Sequence, residues 1–384
     1  MEECLIVAYG RSAIGKAGRG ALAAANPVDY GAEVLKGVVE KVPELSAEDI
    51  DDVIVGCAIP EGKMGLNPAR NIVIRAGLPD QVPGQTVNRF CSSGVQSVAT
   101  GAAMIMSGLQ DVVIAGGVES MTCPVFSSEG KYLDQWLLEN TDIYMPMGIT
   151  AENVAEQYNI SREQMEQMAV ESHAKAADAV ENGLFDKEII PVTGYDQEGS
   201  PVVFKRDECY RKGTNREKLA ALNPCFKEDG VVTAATSSQR SDGAAFVVLM
   251  SESKIKELGI KPIARFVSFA VDGLDPAVMG LGPIYAVEKV MEKTDLTAED
   301  MDVIELNEAF ASQAIVSMEK LKLDKSKVNP RGGALALGHP LGATGSILLA
   351  KAMNYLEHTS GKYGLITMCI GGGMGAACVI EMMG

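Results

Sequence analysis

Histidine is scarce in this chain. Among 384 residues there are three, so any chemistry needing an imidazole base has three positions to choose from. Positive charge is scarce too: 34 Lys and Arg against 51 Asp and Glu give a net charge of -17, which excludes nucleic acid or an anionic membrane as a general partner. No apolar run is long enough to span a bilayer, so no membrane segment is expected. The eight cysteines include no C-x-x-C pair, which excludes a zinc ribbon and gives no disulfide framework. The first residues, Met1-Glu2-Glu3-Cys4-Leu5-Ile6-Val7, lack a basic leader, and Glu381-Met382-Met383-Gly384 carries no peroxisomal tripeptide, so a cytoplasmic protein is expected.

What is present is a soluble α/β composition, 47% hydrophobic and 22% charged, on a chain long enough for two or three domains. The same series of elements occurs twice, roughly 250 residues apart. Leu5-Ile6-Val7-Ala8-Tyr9 has a counterpart in Arg265-Phe266-Val267-Ser268-Phe269-Ala270, and the helix opening Pro27-Val28 in Pro283-Ile284. Ser46-Ala47-Glu48-Asp49 leads into Val53-Ile54-Val55 as Thr297-Ala298-Glu299-Asp300 leads into Val303-Ile304-Glu305-Leu306. Val87-Asn88 returns as Val328-Asn329, each before a helix of small residues, and Asp111 to Gly117 matches Gly364 to Gly371. Five matches in one order predict two α/β halves. We expect residues 1–117 and 240–262 to form one half and 263–384 the other, with 118–239 inserted into the first.

Chemistry is concentrated in a few places. Cys91, in Asn88-Arg89-Phe90-Cys91-Ser92-Ser93-Gly94, stands where a strand passes into a slim helix. A helix N-terminus favours thiolate, so Cys91 is either a nucleophile or an inert core thiol. His339, between Gly338 and Pro340, has only small and apolar neighbours, and among the histidines it is the one suited to act as base. His173 lies on a charged helix and is expected to be solvated, and His358 to end a surface helix. Cys369 opens Gly371-Gly372-Gly373, read either as an anion-binding nest or as a tight turn with a structural thiol. Gly10-Arg11-Ser12-Ala13-Ile14-Gly15-Lys16 fits a phosphate loop only until Ala17, where Ser or Thr is required, and is rejected. The cluster Lys205, Arg206, Arg211, Lys212, Arg216 and Lys218 is either a solvated loop or a docking site for a small phosphorylated ligand.

Together Asn88 to Gly94, Asn307-Glu308-Ala309-Phe310-Ala311, Gly338-His339-Pro340-Leu341-Gly342 and Cys369 to Gly373 resemble the thiolase family over essentially the whole chain. The resemblance implies a five-layered αβαβα fold from two duplicated halves with an inserted loop domain. It also implies reversible condensation and thiolysis of 3-ketoacyl-CoA, acetoacetyl-CoA included, with acetyl-CoA and CoA. In that reading Cys91 accepts the acyl group, His339 activates it, and Cys369 moves the α-proton. Asn307, through a water, joins His339 in one oxyanion hole, and the amides of Cys91 and Gly371 form the other. Arg211 and Ser238 would contact CoA and Met147, Met279 and Phe310 line its pocket, though plain core packing accounts equally for the last three. Lys218, where some members have serine, leaves the adenine end open. No cofactor or metal is implied, and a homodimer or homotetramer is. Pro146 before Met147 favours a 3-ketoacyl-CoA thiolase over an enzyme restricted to acetoacetyl-CoA. A decarboxylating ketoacyl synthase would want a histidine at Asn307, and a non-catalytic acyl-CoA-binding protein would not need all four blocks.

Overall fold

The computed structural model describes residues 2–123 and 133–384. Among these residues twelve strands run in chain order as β1 Cys4–Arg11, β2 Gly15–Lys16, β3 Asp52–Gly56, β4 Gly84–Val87, β5 Val112–Ser120, β6 Val192–Tyr195, β7 Pro201–Phe204, β8 Ser241–Ser251, β9 Ala264–Gly273, β10 Val303–Leu306, β11 Tyr363–Ile370 and β12 Met374–Met382. The helices are α1 Pro27–Val39, α2 Pro68–Arg75, α3 Ser93–Met106, α4 Gln135–Asn140, α5 Met147–Tyr158, α6 Arg162–Glu181, α7 Arg216–Ala220, α8 Glu252–Leu258, α9 Gly282–Thr294, α10 Ala311–Lys320, α11 Ala334–Leu337 and α12 Leu341–Thr359. Residue chemistry fixes their starts. Asn26 caps α1 ahead of Pro27, and Ser161 with Gln164 closes a capping box on α6.

Strand pairing repeats between the halves. In the first, β1, β8, β5, β3 and β4 follow one another, antiparallel twice and then parallel twice. In the second, β9, β12, β11 and β10 follow the same sequence of senses, and Ile304 bridges Val328 in parallel where β4 would lie. The two paths meet edge to edge where Leu5 faces Arg265 and Ile6 faces Ala264.

Alternation along the strands separates the layers. Phe246, Val248 and Met250 of β8 join α1 and α2 in an outer core, whereas Val247 and Leu249 point inward to α3 and α12. In β12, Ala377 and Val379 face the outer core with α9 and α10, and Ala376, Cys378 and Ile380 face the same inner core. Helices thus cover both outer faces and fill the space between, the five-layered αβαβα arrangement. At the centre α3 and α12 touch backbone to backbone: a Cβ on Gly94 would lie 2.8 Å from the Gly342 oxygen, and one on Gly345 2.4 Å from the Val95 nitrogen. Only glycine permits that approach.

Candidate active site

Each of these central helices brings a candidate residue to its N-terminal end. Asn88 fixes the approach to α3 by donating to Ala58 O at 3.0 Å and accepting from Phe90 N at 2.9 Å. Phe90 then adopts φ 43°, a left-handed conformation rare for an aromatic residue, and Phe90–Ser92 form a single 3-10 turn before α3. Cys91 lies in that turn, half-buried, with its own backbone N–H and that of Gly371 near enough to its sulfur to favour the thiolate. Burial nevertheless pushes the Cys91 thiol up to about 11, against the lowering expected from the helix start. Two neutral amides and a helix end return less to a thiolate than loss of water takes away.

Cys369 is the last residue but one of β11, fully buried and near Cys91. Burial first and the neighbouring thiol second push its own thiol well above the ordinary range. The chain then reverses into β12 through Gly372 and Gly373, at φ 81° and 78°. That turn aims the Gly371 amide at Cys91, while Met147 Sδ lies over Gly371, 3.3 Å from where a Cβ would be.

His339 stands just ahead of α12, the helix that packs against the turn holding Cys91. Its backbone N–H donates to Gln239 O at 2.9 Å, its Nδ1 lies 2.6 Å from Thr344 Oγ1, and its Nε2 lies 3.4 Å from Asn307 Nδ2. Burial holds the imidazole down at about 4, so it is neutral at physiological pH. Asn307, fully buried after β10, donates its backbone N–H to Thr367 O, and its Oδ1 has no partner among the described residues. Glu119, whose carboxyl is held up by burial, accepts from Ala58 N at 2.8 Å and Gly342 N at 2.9 Å, tying the first turn of α12 to β3. Glu308 accepts from Ser172, Asn329 and Leu335 N, locking the segment before His339 to α6. Sequence reasoning passed over Glu119, Thr344 and Gln239. The only signal was position, and only for two of them: Glu119 follows Gly116-Gly117 and Thr344 precedes Gly345, whereas Gln239 stands in a stretch without glycine.

The remaining positions are spread more widely. Arg211 is exposed and, among the described residues, its guanidinium makes no ion pair. Ser238 is half-buried and donates its N–H to Ala309 O. Met147 is half-buried, whereas Met279 and Phe310 belong to the outer core, Phe310 standing edge-on to Phe226 at 6.0 Å. Lys218 is exposed, its Nζ 3.4 Å from Gly213 O. Arg11, inside the rejected phosphate-loop motif, is buried between Glu188 and Asp207, which ties β1 to the segment following α6. Among the described residues no group of three His, Cys, Asp or Glu is arranged to hold a metal, and no helix is long and apolar enough to cross a membrane.

His173 corrects an expectation. It is only 5% exposed, on the inner face of α6, where Nδ1 accepts from Arg211 N at 3.1 Å; His358 does lie exposed in the last turn of α12. Burial, then Arg211 and Lys16, lower His173 from 6.5 to about 4. The unfolded chain therefore binds a proton that the native one refuses. Stability is complete above about pH 6.5 and is lost as pH falls towards 4, by about 2 kcal/mol per such histidine at pH 5. His173→Gln should shrink the drop in urea midpoint between about pH 7 and pH 5, and an undiminished drop would contradict a neutral buried ring.

Comparison with known proteins agrees with this architecture. The model of the thiolase N-terminal domain matches residues 4–253 and that of the thiolase C-terminal domain residues 260–382. The chain is 46% identical over 391 residues to a 3-ketoacyl-CoA thiolase of Bacillus subtilis and 44% over 395 to an acetyl-CoA acetyltransferase of Allochromatium vinosum, with 100% of both chains covered in each case. It superposes on the crystal structure of the Bacillus anthracis acetyl-CoA acetyltransferase with a TM-score of 0.93 at 40% identity, covering 100% of this chain and 99% of that one. Duplicated topology, two thiols beside a glycine turn and full-length matches in both halves lead to one assignment: the chain belongs to the thiolase family.

Proposed function

We propose that this chain is a thiolase that cleaves 3-ketoacyl-CoA, acetoacetyl-CoA included, with CoA and runs the reverse condensation through an acyl-cysteine. The observation that carries the reading is that β11, which holds Cys369 and leads into the glycine turn, packs against the turn holding Cys91, so that two thiols and the Gly371 amide share one place. In acylation the Cys91 proton passes to His339 Nε2 as sulfur attacks the thioester carbonyl, and the departing CoA sulfur takes that proton back. In condensation Cys369 thiolate removes the α-proton of the second acyl-CoA, the enolate carbon bonds to the acyl carbon as its bond to Cys91 sulfur breaks, and the proton on Cys369 passes to the released Cys91 thiolate. His339, while its Nε2 carries a proton, and Asn307, through a water, would carry the oxygen of the CoA thioester. The Cys91 and Gly371 amides would carry the acyl-cysteine oxygen as it gains charge. Raising Cys369 lowers the share of thiolate but makes each thiolate a stronger base, the useful direction for a weakly acidic C–H.

Neither step calls for a metal or redox group. The division into 1–117 with 240–262, 118–239 and 263–384 belongs to the same reading, with Arg211 and Ser238 on CoA and Met147, Met279 and Phe310 along its pocket. Pro146 at the start of α5 supports activity beyond acetoacetyl-CoA. Family likeness supports a homodimer or homotetramer, which sedimentation would resolve. The direct test is production of acetyl-CoA from acetoacetyl-CoA and CoA by the purified protein. No acetyl-CoA formed would exclude the enzyme and leave a binding protein.

Arg211→Ala should raise the Michaelis constant for CoA about tenfold, because an exposed arginine contact with an anion is worth on the order of 1–2 kcal/mol. The effect should shrink with salt and leave the saturated rate unchanged. An unchanged constant at low salt would mean that the nucleotide end docks elsewhere.

A further inference from the structure

Thr344 lies in the first turn of α12, 2% exposed, with its hydroxyl 2.6 Å from His339 Nδ1 and 3.0 Å from the carbonyl oxygen of Pro340. A hydroxyl has one proton to give and can accept from two sides. The Pro340 carbonyl can only accept, so the hydroxyl proton is directed there, and the same oxygen is left to accept from an N–H at Nδ1. The opposite arrangement would put the ring proton on Nε2, facing the N–H group of Asn307 at 3.4 Å, donor against donor. The His339 backbone N–H donates to Gln239 O, which fixes the main chain from which the ring projects.

We infer that Thr344 is a positioning residue that holds His339 in its Nδ1–H tautomer, so that Nε2 presents a lone pair to the Cys91 thiol. The hydroxyl occupies the place that a carboxylate takes behind the histidine of a serine-protease triad, but it is neutral. A neutral partner orients the ring without stabilising the imidazolium. The proton taken from Cys91 is therefore held briefly and handed on to the leaving CoA sulfur: the S–H bond of Cys91 breaks, N–H forms at Nε2, and that N–H breaks as CoA regains its thiol. The inference rests on the reading of His339 as the base for Cys91.

With only three histidines, solid-state nitrogen NMR of protein labelled at histidine resolves the tautomer directly, with assignment by subtraction of His173→Gln and His358→Gln spectra. The expected result is an Nδ1–H signal for His339 in the native protein and in Thr344→Ser, and a shift towards Nε2–H in Thr344→Val. Thr344→Val should slow acetylation of Cys91 by acetyl-CoA about a hundredfold, a moderate version of what a wrong tautomer costs a triad, with the Michaelis constant within about twofold. Thr344→Ser should restore the rate to within about threefold. An Nε2–H signal in the native protein would overturn the proposal, as would native-rate acetylation in Thr344→Val; if the valine variant does not fold, the native tautomer and the serine variant decide. Full-rate acetylation in His339→Asn would instead overturn the base assignment, and with it the role given to Thr344, whatever the tautomer.

Discussion

Cys91→Ala should remove turnover in both directions by on the order of 10^4-fold or more, the scale on which enzymes lose rate when a covalent nucleophile is deleted. It should also leave no acetyl group on the protein after incubation with acetyl-CoA. The loss is this large because the acyl group is carried on the Cys91 sulfur and an alanine methyl offers no nucleophile in its place. The fold should tolerate the change, since Cys91 is only half-buried and alanine is the smaller residue. The thiol of Cys91 is raised to about 11 and the imidazole lowered to about 4, so the resting pair is neutral and attack is coupled to proton transfer. The acetylation rate should accordingly be nearly flat between about pH 5 and pH 9. A steep rise through about pH 7 would indicate an ion pair at rest.

Cys369→Ser should separate the two half-reactions. The hydroxyl is too weak an acid to supply an alkoxide base at neutral pH, so condensation and thiolysis should fall by about three orders of magnitude or more. Acetylation of Cys91 should persist near its native rate, because its sulfur, its two amides and His339 are untouched. Exchange of the α-hydrogens of acetyl-CoA with deuterated water should fall together with condensation. Near-native turnover in both directions would exclude Cys369 as the group that moves the proton.

Much of this was legible in the chain itself. Duplication could be read because equivalent elements keep equivalent chemistry: the acidic turn before Val53 and that before Val303 lead into strands occupying the same place in the two sheet paths. The blocks around Cys91, His339 and Cys369 are short, glycine-rich and local, so their presence survives without coordinates. What could not be read depends on distant neighbours. Position at a helix start argued for a lowered Cys91 thiol, but the cost of burial is set by α12 and β11, which sequence does not show packing there. His173 was misread for a different reason. Glu171 and Lys175 flank it in the chain, yet Met165, Ala169, Ser172, His173 and Ala176 recur at helical spacing along one buried face, and that period was the signal to follow. Thr344 was invisible because its significance lies in one hydroxyl meeting one ring nitrogen across a helical turn.

The central claim is that the two thiols divide the work, Cys91 holding carbon and Cys369 moving a proton. Incubating the native protein with acetyl-CoA, quenching in acid and mapping the label by peptide mass spectrometry tests it most directly. One acetyl group per subunit on the peptide containing Cys91 is the predicted result, and a label on Cys369 would reverse the roles and contradict the account.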